Sequence, residues 1–352
     1  MVASPRGVRK DASLPAEVSD TNIQTRIPNK EAPLDSERYR GIFGVTVTPF
    51  TADRASLDED ALRSLVPALL DDGVRRLVAC GNTGEYFALS ALERRRVAAV
   101  TVEAARAHHG SRDAALVVVG VGGGPEDAAA EAAHAAEVGA GAVMVHHPTN
   151  PHITPDGLVA YCRMIAEASP LPLIPYLRSA VLDGDGIRRL TDIEGVVAVK
   201  YAVNDLPAFA AAVDATRDRP DLQWICGTAE RWAPFFWAAG AVGFTSGLVN
   251  VTAAPALALL AALERGDRDA SMRIWTMVEP FERMRARSAD GYNVAVVKAA
   301  MRQVGRPAGP VRAPASEVTD ADQEAIASIL TSWRSLEQPS RAQGSQPASV
   351  GA

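Results

Sequence analysis

Cysteine is scarce in this chain. Cys80, Cys162 and Cys226 lie far apart, are odd in number and form no Cys-x-x-Cys pair. That excludes a disulfide framework or a zinc knuckle and fits small buried hydrophobes in a reducing compartment. Clusters of Lys and Arg interleaved with aromatics are also missing. With a net charge of only −6 and a pI near 5.6, a nucleic-acid surface is not the main business of the chain. No uncharged run approaches the ~20 residues of a membrane span, and the first 38 residues hold no apolar segment of a secretory signal. The expectation is a cytoplasmic protein with neither membrane nor nucleic acid among its partners.

What is present is an ordinary globular composition, 352 residues with 47% hydrophobic content, enough to bury a large core. Residues 1–38 and 336–352 are rich in Pro, Ser and charge without apolar periodicity and read as disordered tails. Between them, short β-rich runs alternate with helix-patterned ones. Strands are expected at 44–47, 76–79, 115–119, 142–145, 171–176, 196–200, 222–226 and 242–245. Helices are expected at 58–72, 90–109, 125–137, 155–168, 184–191, 205–217 and 229–239. Eight strands in strict alternation predict an α/β fold, a (β/α)8 TIM barrel over 39–250. Residues 251–335 then form a C-terminal helical appendage, with helices at 253–264, 267–286, 291–304 and 319–333.

On such a barrel the chemistry sits at the C-terminal strand ends, and several unusual residues fall there: Thr48, Gly81 to Glu85, His147, Tyr176, Lys200 and Gly227 to Glu230. Lys200 ends the apolar run from Val196. A desolvated lysine there can lose its proton near neutral pH and attack a ketone, while a lysine snorkelling to water is the plainer alternative. The segment Gly81-Asn82-Thr83-Gly84-Glu85 can seat a carboxylate on backbone N–H groups and the Thr83 hydroxyl, or be a turn whose Glu85 caps the next helix. Tyr176 is either a polar wall or a core aromatic, and His147 either a general acid or base or a solvent-facing ring. Arg178 and Arg231 are either forks for a distal carboxylate or surface charges. His146, His147 and His152 are irregularly spaced and broken by Pro148 and Pro151, which speaks against a metal site. Gly120 to Gly124 lacks the acidic residue and context of a dinucleotide fingerprint.

Thr46-Val47-Thr48-Pro49-Phe50, Gly81 to Glu85 and Val199-Lys200, in this order, resemble the dihydrodipicolinate synthase and N-acetylneuraminate lyase family of Schiff-base aldolases over residues 39–334. Gly291-Tyr292-Asn293-Val294, Val297-Lys298-Ala299 and Gly305 to Arg312, with Gly227 to Glu230 and Asn250, resemble its 5-dehydro-4-deoxyglucarate dehydratase branch. The resemblance implies an imine between Lys200 and a 2-keto acid, with no metal and no cofactor. Tyr176 would stand beside the imine, and Thr83, Asn82, Gly81, Thr48, Gly227, Thr228, Ser246, Arg178 and His147 around the substrate. It implies dehydration and decarboxylation of a keto-deoxy sugar diacid to 2,5-dioxopentanoate. A pyruvate aldolase or synthase, or a barrel turned binding module, are the alternatives. Relatives assemble as dimers or tetramers, so a homo-oligomer is expected. Two family tyrosines, after the third and fourth strands, are absent. Gly120 to Pro125 and His146-His147-Pro148 stand in their places, leaving Tyr176, His147, a water or the substrate carboxylate to carry protons.

Overall fold

Eight short strands lie parallel, each paired with the next, and the last returns to the first to close a barrel. They are β1 (Gly41–Val45), β2 (Arg76–Ala79), β3 (Leu116–Val121), β4 (Ala142–Val145), β5 (Leu173–Leu177), β6 (Ala198–Tyr201), β7 (Gln223–Cys226) and β8 (Gly243–Ser246). Buried on both faces, such strands read as continuous apolar runs, which is why the sequence marks them. Around them run α1 (Glu59–Asp71), α2 (Ala91–His108), α3 (Pro125–Val138), α4 (Pro155–Ala168), α5 (Gly184–Thr191), α6 (Leu206–Ala215), α7 (Ala229–Ala238) and α8 (Ala254–Glu264). The side chains of Asp58, Thr154, Asp183 and Asp205 accept first-turn N–H groups of α1, α4, α5 and α6, fixing where those helices begin. Beyond α8 follow α9 (Arg268–Arg285), a single turn α10 (Arg287–Asp290), α11 (Asn293–Gln303) and α12 (Asp320–Glu337). This computed structural model describes residues 1, 35–108 and 115–337. The expected tails therefore lie almost wholly outside the described residues.

The expected (β/α)8 barrel and its appended helices are thus found. Among the strands the largest boundary shift is in β1, which starts at Gly41 rather than 44 because Gly41 to Gly44 pair with Gly243 to Ser246 and close the barrel. At the other end of that strand the Val47 N–H is taken by Asn250 Oδ1 at 3.1 Å, outside any ladder.

Two apolar layers fill the molecule. One lies inside the barrel, with Phe43, Val45, Val78, Val118, Met144, Ile174, Tyr176, Ala198 and Ile225. The other lies between strands and helices. Side chains alternate along a strand, so Lys200, two residues beyond Ala198, belongs to the inward row and stands at its upper end. The appended helices are tied to the barrel by charge: Arg306 Nη1 to Asp72 Oδ2 at 2.6 Å, Arg312 Nη2 to Glu93 Oε1 at 2.8 Å, and a fully buried Lys298 Nζ to Glu85 Oε1 at 2.6 Å. No helix among the described residues is long and apolar enough to cross a membrane.

Candidate active site

The register of β5, β6 and β7 sets Tyr176, Lys200 and Ile225 side by side. Lys200 is 3% exposed, and its Nζ lies 3.7 Å from the Tyr176 ring centroid. Among the described residues no carboxylate pairs with it. Burial, helped by the positive charge of Arg178, therefore lowers its pKa to about 7. Lys298, the other buried lysine, has Glu85 to keep its charge. Tyr176 accepts a hydrogen bond at 3.1 Å from Asn82 Nδ2, and burial pushes its phenol up to about 12, so it holds its proton at neutral pH. Gly227 must be glycine: a Cβ there would stand 2.8 Å from Ala202 Cβ and 3.1 Å from Lys200 Cγ.

Lys200 and Tyr176 face a cavity of about 430 Å³ at the C-terminal end of the barrel. Asn82, Thr83, Arg178, Gly227, Thr228 and Arg231 line it with them. Cys80 and Glu85, both at positive φ, give the Gly81 to Glu85 loop its sharp shape. Glu85 does not cap the next helix. Its carboxylate accepts from the Arg312 N–H at 2.9 Å and pairs with Lys298, while Ser90 and Glu93 form the reciprocal capping box of α2.

Four expected substrate-binding residues are not among those lining the cavity. Gly81 packs on Val45, because a Cβ would run into that side chain, and Thr48 donates to the Gly84 carbonyl at 2.7 Å. Both shape the loop from behind. Ser246 is bonded to the buried Glu230, and His147 shares a 3.0 Å hydrogen bond with Ser179. Burial also lowers the His147 pKa. Among the described residues no three His, Cys, Asp or Glu side chains lie together as ligands for a metal ion.

A family model described as the dihydrodipicolinate synthetase family matches residues 38–333. The chain belongs to that family. Its sequence is 35% identical to a probable 5-dehydro-4-deoxyglucarate dehydratase 2 of Streptomyces coelicolor, over 84% of this chain and 90% of that one. It is 30% identical to a 4-hydroxy-tetrahydrodipicolinate synthase of Methanothrix thermoacetophila, over 85% and 98%. The crystal structure of dihydrodipicolinate synthase from Bacillus clausii superposes with a TM-score of 0.81 at 39% identity, covering 85% of this chain and 99% of that one. The protein is thus a lyase of the dihydrodipicolinate synthetase family, with relatives divided between two reactions.

Against the family pattern, the positions of the two missing tyrosines are filled and structural. His146 is buried, its Nε2 bonds the Cys80 carbonyl at 2.8 Å, and its ring lies 4.2 Å from that of Tyr86. Burial drives its pKa down to about 3, so the ring stays neutral. Gly120 and Gly122 admit it, since a Cβ on either would meet His146 atoms at 2.8 and 2.9 Å. The glycine run is a socket for a histidine and not a phosphate loop. Tyr86 in turn donates to Glu131 at 2.8 Å, and Glu131 is held by Arg94 at 2.5 Å. Burial raises all three thiols, those of Cys162 and Cys226 to about 12, which suits packing residues.

Sequence reasoning missed the contribution of α9. Val278, Phe281, Glu282 and Arg285 are its buried stripe, at helical spacing. Two charges on that stripe were the available signal, because charges are buried only where something requires them. Glu282 and Arg285 pair at 2.5 Å, Arg285 also donates to Asn293 Oδ1 at 2.7 and 3.0 Å, and all three side chains line the cavity. Burial and the neighbouring Glu282 raise the pKa of Glu230 behind them.

Proposed function

We propose that this member of the family is a 2-keto acid lyase working through an imine on Lys200, and that its reaction is dehydration and decarboxylation of 5-dehydro-4-deoxyglucarate to 2,5-dioxopentanoate. The observation carrying the reading is an unpaired, buried amine beside a protonated tyrosine in a cavity lined also by Thr83, the proposed seat of a substrate carboxylate, and by a cation, Arg178. The free amine adds to the ketone, and loss of water gives the imine. The protonated imine draws electrons from the neighbouring methylene. Loss of a proton there forms an enamine, whose electron pair expels the next hydroxyl as water once that group has taken up a proton. The far carboxylate then leaves as carbon dioxide, its electron pair passing into the unsaturated iminium; protonation of the resulting enol and enamine, and hydrolysis, free the dioxo acid and the lysine. Tyr176 is the proton carrier that the arrangement supports, being the phenol in contact with Lys200. His146 is held by the Cys80 carbonyl as a neutral ring 6.0 Å from that of Tyr176, and His147 is bonded to Ser179.

Arg178 supports a diacid. It projects from the end of β5, on the opposite side of the closed barrel from β1 and its neighbours β2 and β8, and its guanidinium lies 3.7 Å from the exposed Asp290. So loose an exposed pair is worth at most about 1 kcal/mol, and a substrate carboxylate can displace it. The second reading, a pyruvate aldolase or synthase, draws on the relatives named as synthases. Turnover distinguishes them. The dehydratase releases carbon dioxide from the keto-deoxy diacid, whereas an aldolase exchanges the methyl protons of pyruvate and leaves the diacid untouched; the latter result would reverse the assignment.

A pH dependence follows in either case. Only the unprotonated amine attacks, so the rate of imine formation rises about tenfold per pH unit below about 7 and levels off above it. Single-turnover trapping across pH 5 to 9 reads this directly, and a rate still climbing about tenfold per unit up to pH 9, as for an ordinary lysine of pKa ~10.4, would contradict the desolvated amine.

A further inference from the structure

Gly247 follows β8 at the cavity wall, and it stands where a side chain could not. A Cβ on it would collide with Arg285 Nη2, and the same point lies 3.0 Å from Thr83 Oγ1. The guanidinium of Arg285 and the hydroxyl of Thr83 therefore flank one spot beside β8. Arg285 is 6% exposed, so this is a built position and not a drifting surface charge. Its five N–H donors are not all used. Nε and one Nη2 hydrogen go to Asn293 Oδ1, and one Nη1 hydrogen goes to Glu282. Among the described residues the other two have no protein acceptor. A buried guanidinium with spare donors beside a hydroxyl, both open to a cavity, matches the fork geometry by which arginine takes a carboxylate.

We infer that Arg285, carried in from the C-terminal helices, joins Thr83 in binding the carboxylate next to the keto carbon. The inference rests on the keto-acid reading above. Glu282 and Asn293 are positioning residues, fixing the guanidinium plane while leaving its inner edge free. Arg178 is then left for the far carboxylate, so the two arginines hold a diacid from opposite sides of the barrel with Lys200 between them. Because the product keeps this carboxylate and the carbon dioxide comes from the far one, the Arg285 contact persists from substrate to product and so acts on KM and not on kcat.

The test compares pyruvate with methyl pyruvate in borohydride trapping, in wild type and in the charge-balanced double variant E282Q/R285Q. Expected is a rise of about 30-fold in the pyruvate concentration needed for half-maximal adduct, as for the loss of one charge-assisted contact. The ester, which carries no anion, is expected to shift less than about threefold, and its retained adduct also shows that the variant folds with a competent amine. R285K is expected to fall between, restoring the charge without the fork. Equal shifts for acid and ester, or no shift for either, would overturn the inference. If wild type traps neither keto compound, the keto-acid reading itself fails and the inference goes with it.

Discussion

In Lys200→Ala, incubation with pyruvate or with the keto-deoxy diacid followed by borohydride leaves the intact mass unchanged, and turnover drops by at least about 10⁴-fold, the order seen when a covalent nucleophile is removed. The sequence has lysine only at positions 10, 30, 200 and 298. Of the two among the described residues, Lys200 lines the cavity, and Lys298 is held as a cation between Glu85 and the Pro310 carbonyl at 2.9 Å. Lys200 is therefore the site at which a cavity adduct forms. Lys200→Met fills the same space without an amine and is expected to match the alanine variant, separating chemistry from packing. A reduced adduct of full yield in either variant would remove Lys200 from the mechanism.

Lys298→Met is expected to be the most destabilising single change in the appended helices, by about 3–5 kcal/mol, because it strands the buried Glu85 carboxylate without its cation. Glu85 belongs to the seat loop, and Lys298 sits on α11 with its Nζ 4.4 Å from the Phe50 ring centroid. The pair clamps the loop, the first barrel strand's exit and the C-terminal helices together. Denaturant midpoints of Lys298→Met, Glu85→Gln and the double variant provide the check. The double variant should recover much of the loss, since removing both partners leaves no uncompensated charge. If the single variant matches wild type, the clamp carries no stability.

Legibility tracked locality. The strands were readable because each is buried on both faces and so appears as an apolar run bounded by turn residues; β2 and β4 fall at their expected limits. Lys200 was readable because a charge ending such a run conflicts with its surroundings. Thr83 and Asn82 were readable through the glycines that frame them. By contrast, Gly81, Thr48 and Ser246 lie at or just past the ends of β2, β1 and β8 but off the cavity lining, since which face such a residue shows depends on partners such as Val45, Gly84 and Glu230. His147 was drawn toward the chemistry by its residue type and its place after the fourth strand, and its partner Ser179 lies 32 positions away.

The sequence by itself determined the barrel, its appended helices and the family, because periodicity, turn chemistry and short motifs are written within a few residues of each other. Only the tertiary structure decided that, among the described residues, Lys200 lacks a counter-ion while Lys298 has one, that His146 is a neutral packing ring, and that Arg285 from α9 comes to the cavity wall beside Thr83. Those are differences in what surrounds a charge. Burial and pairing set its pKa and its free donors, and both depend on side chains brought together from far along the chain by closure of the barrel.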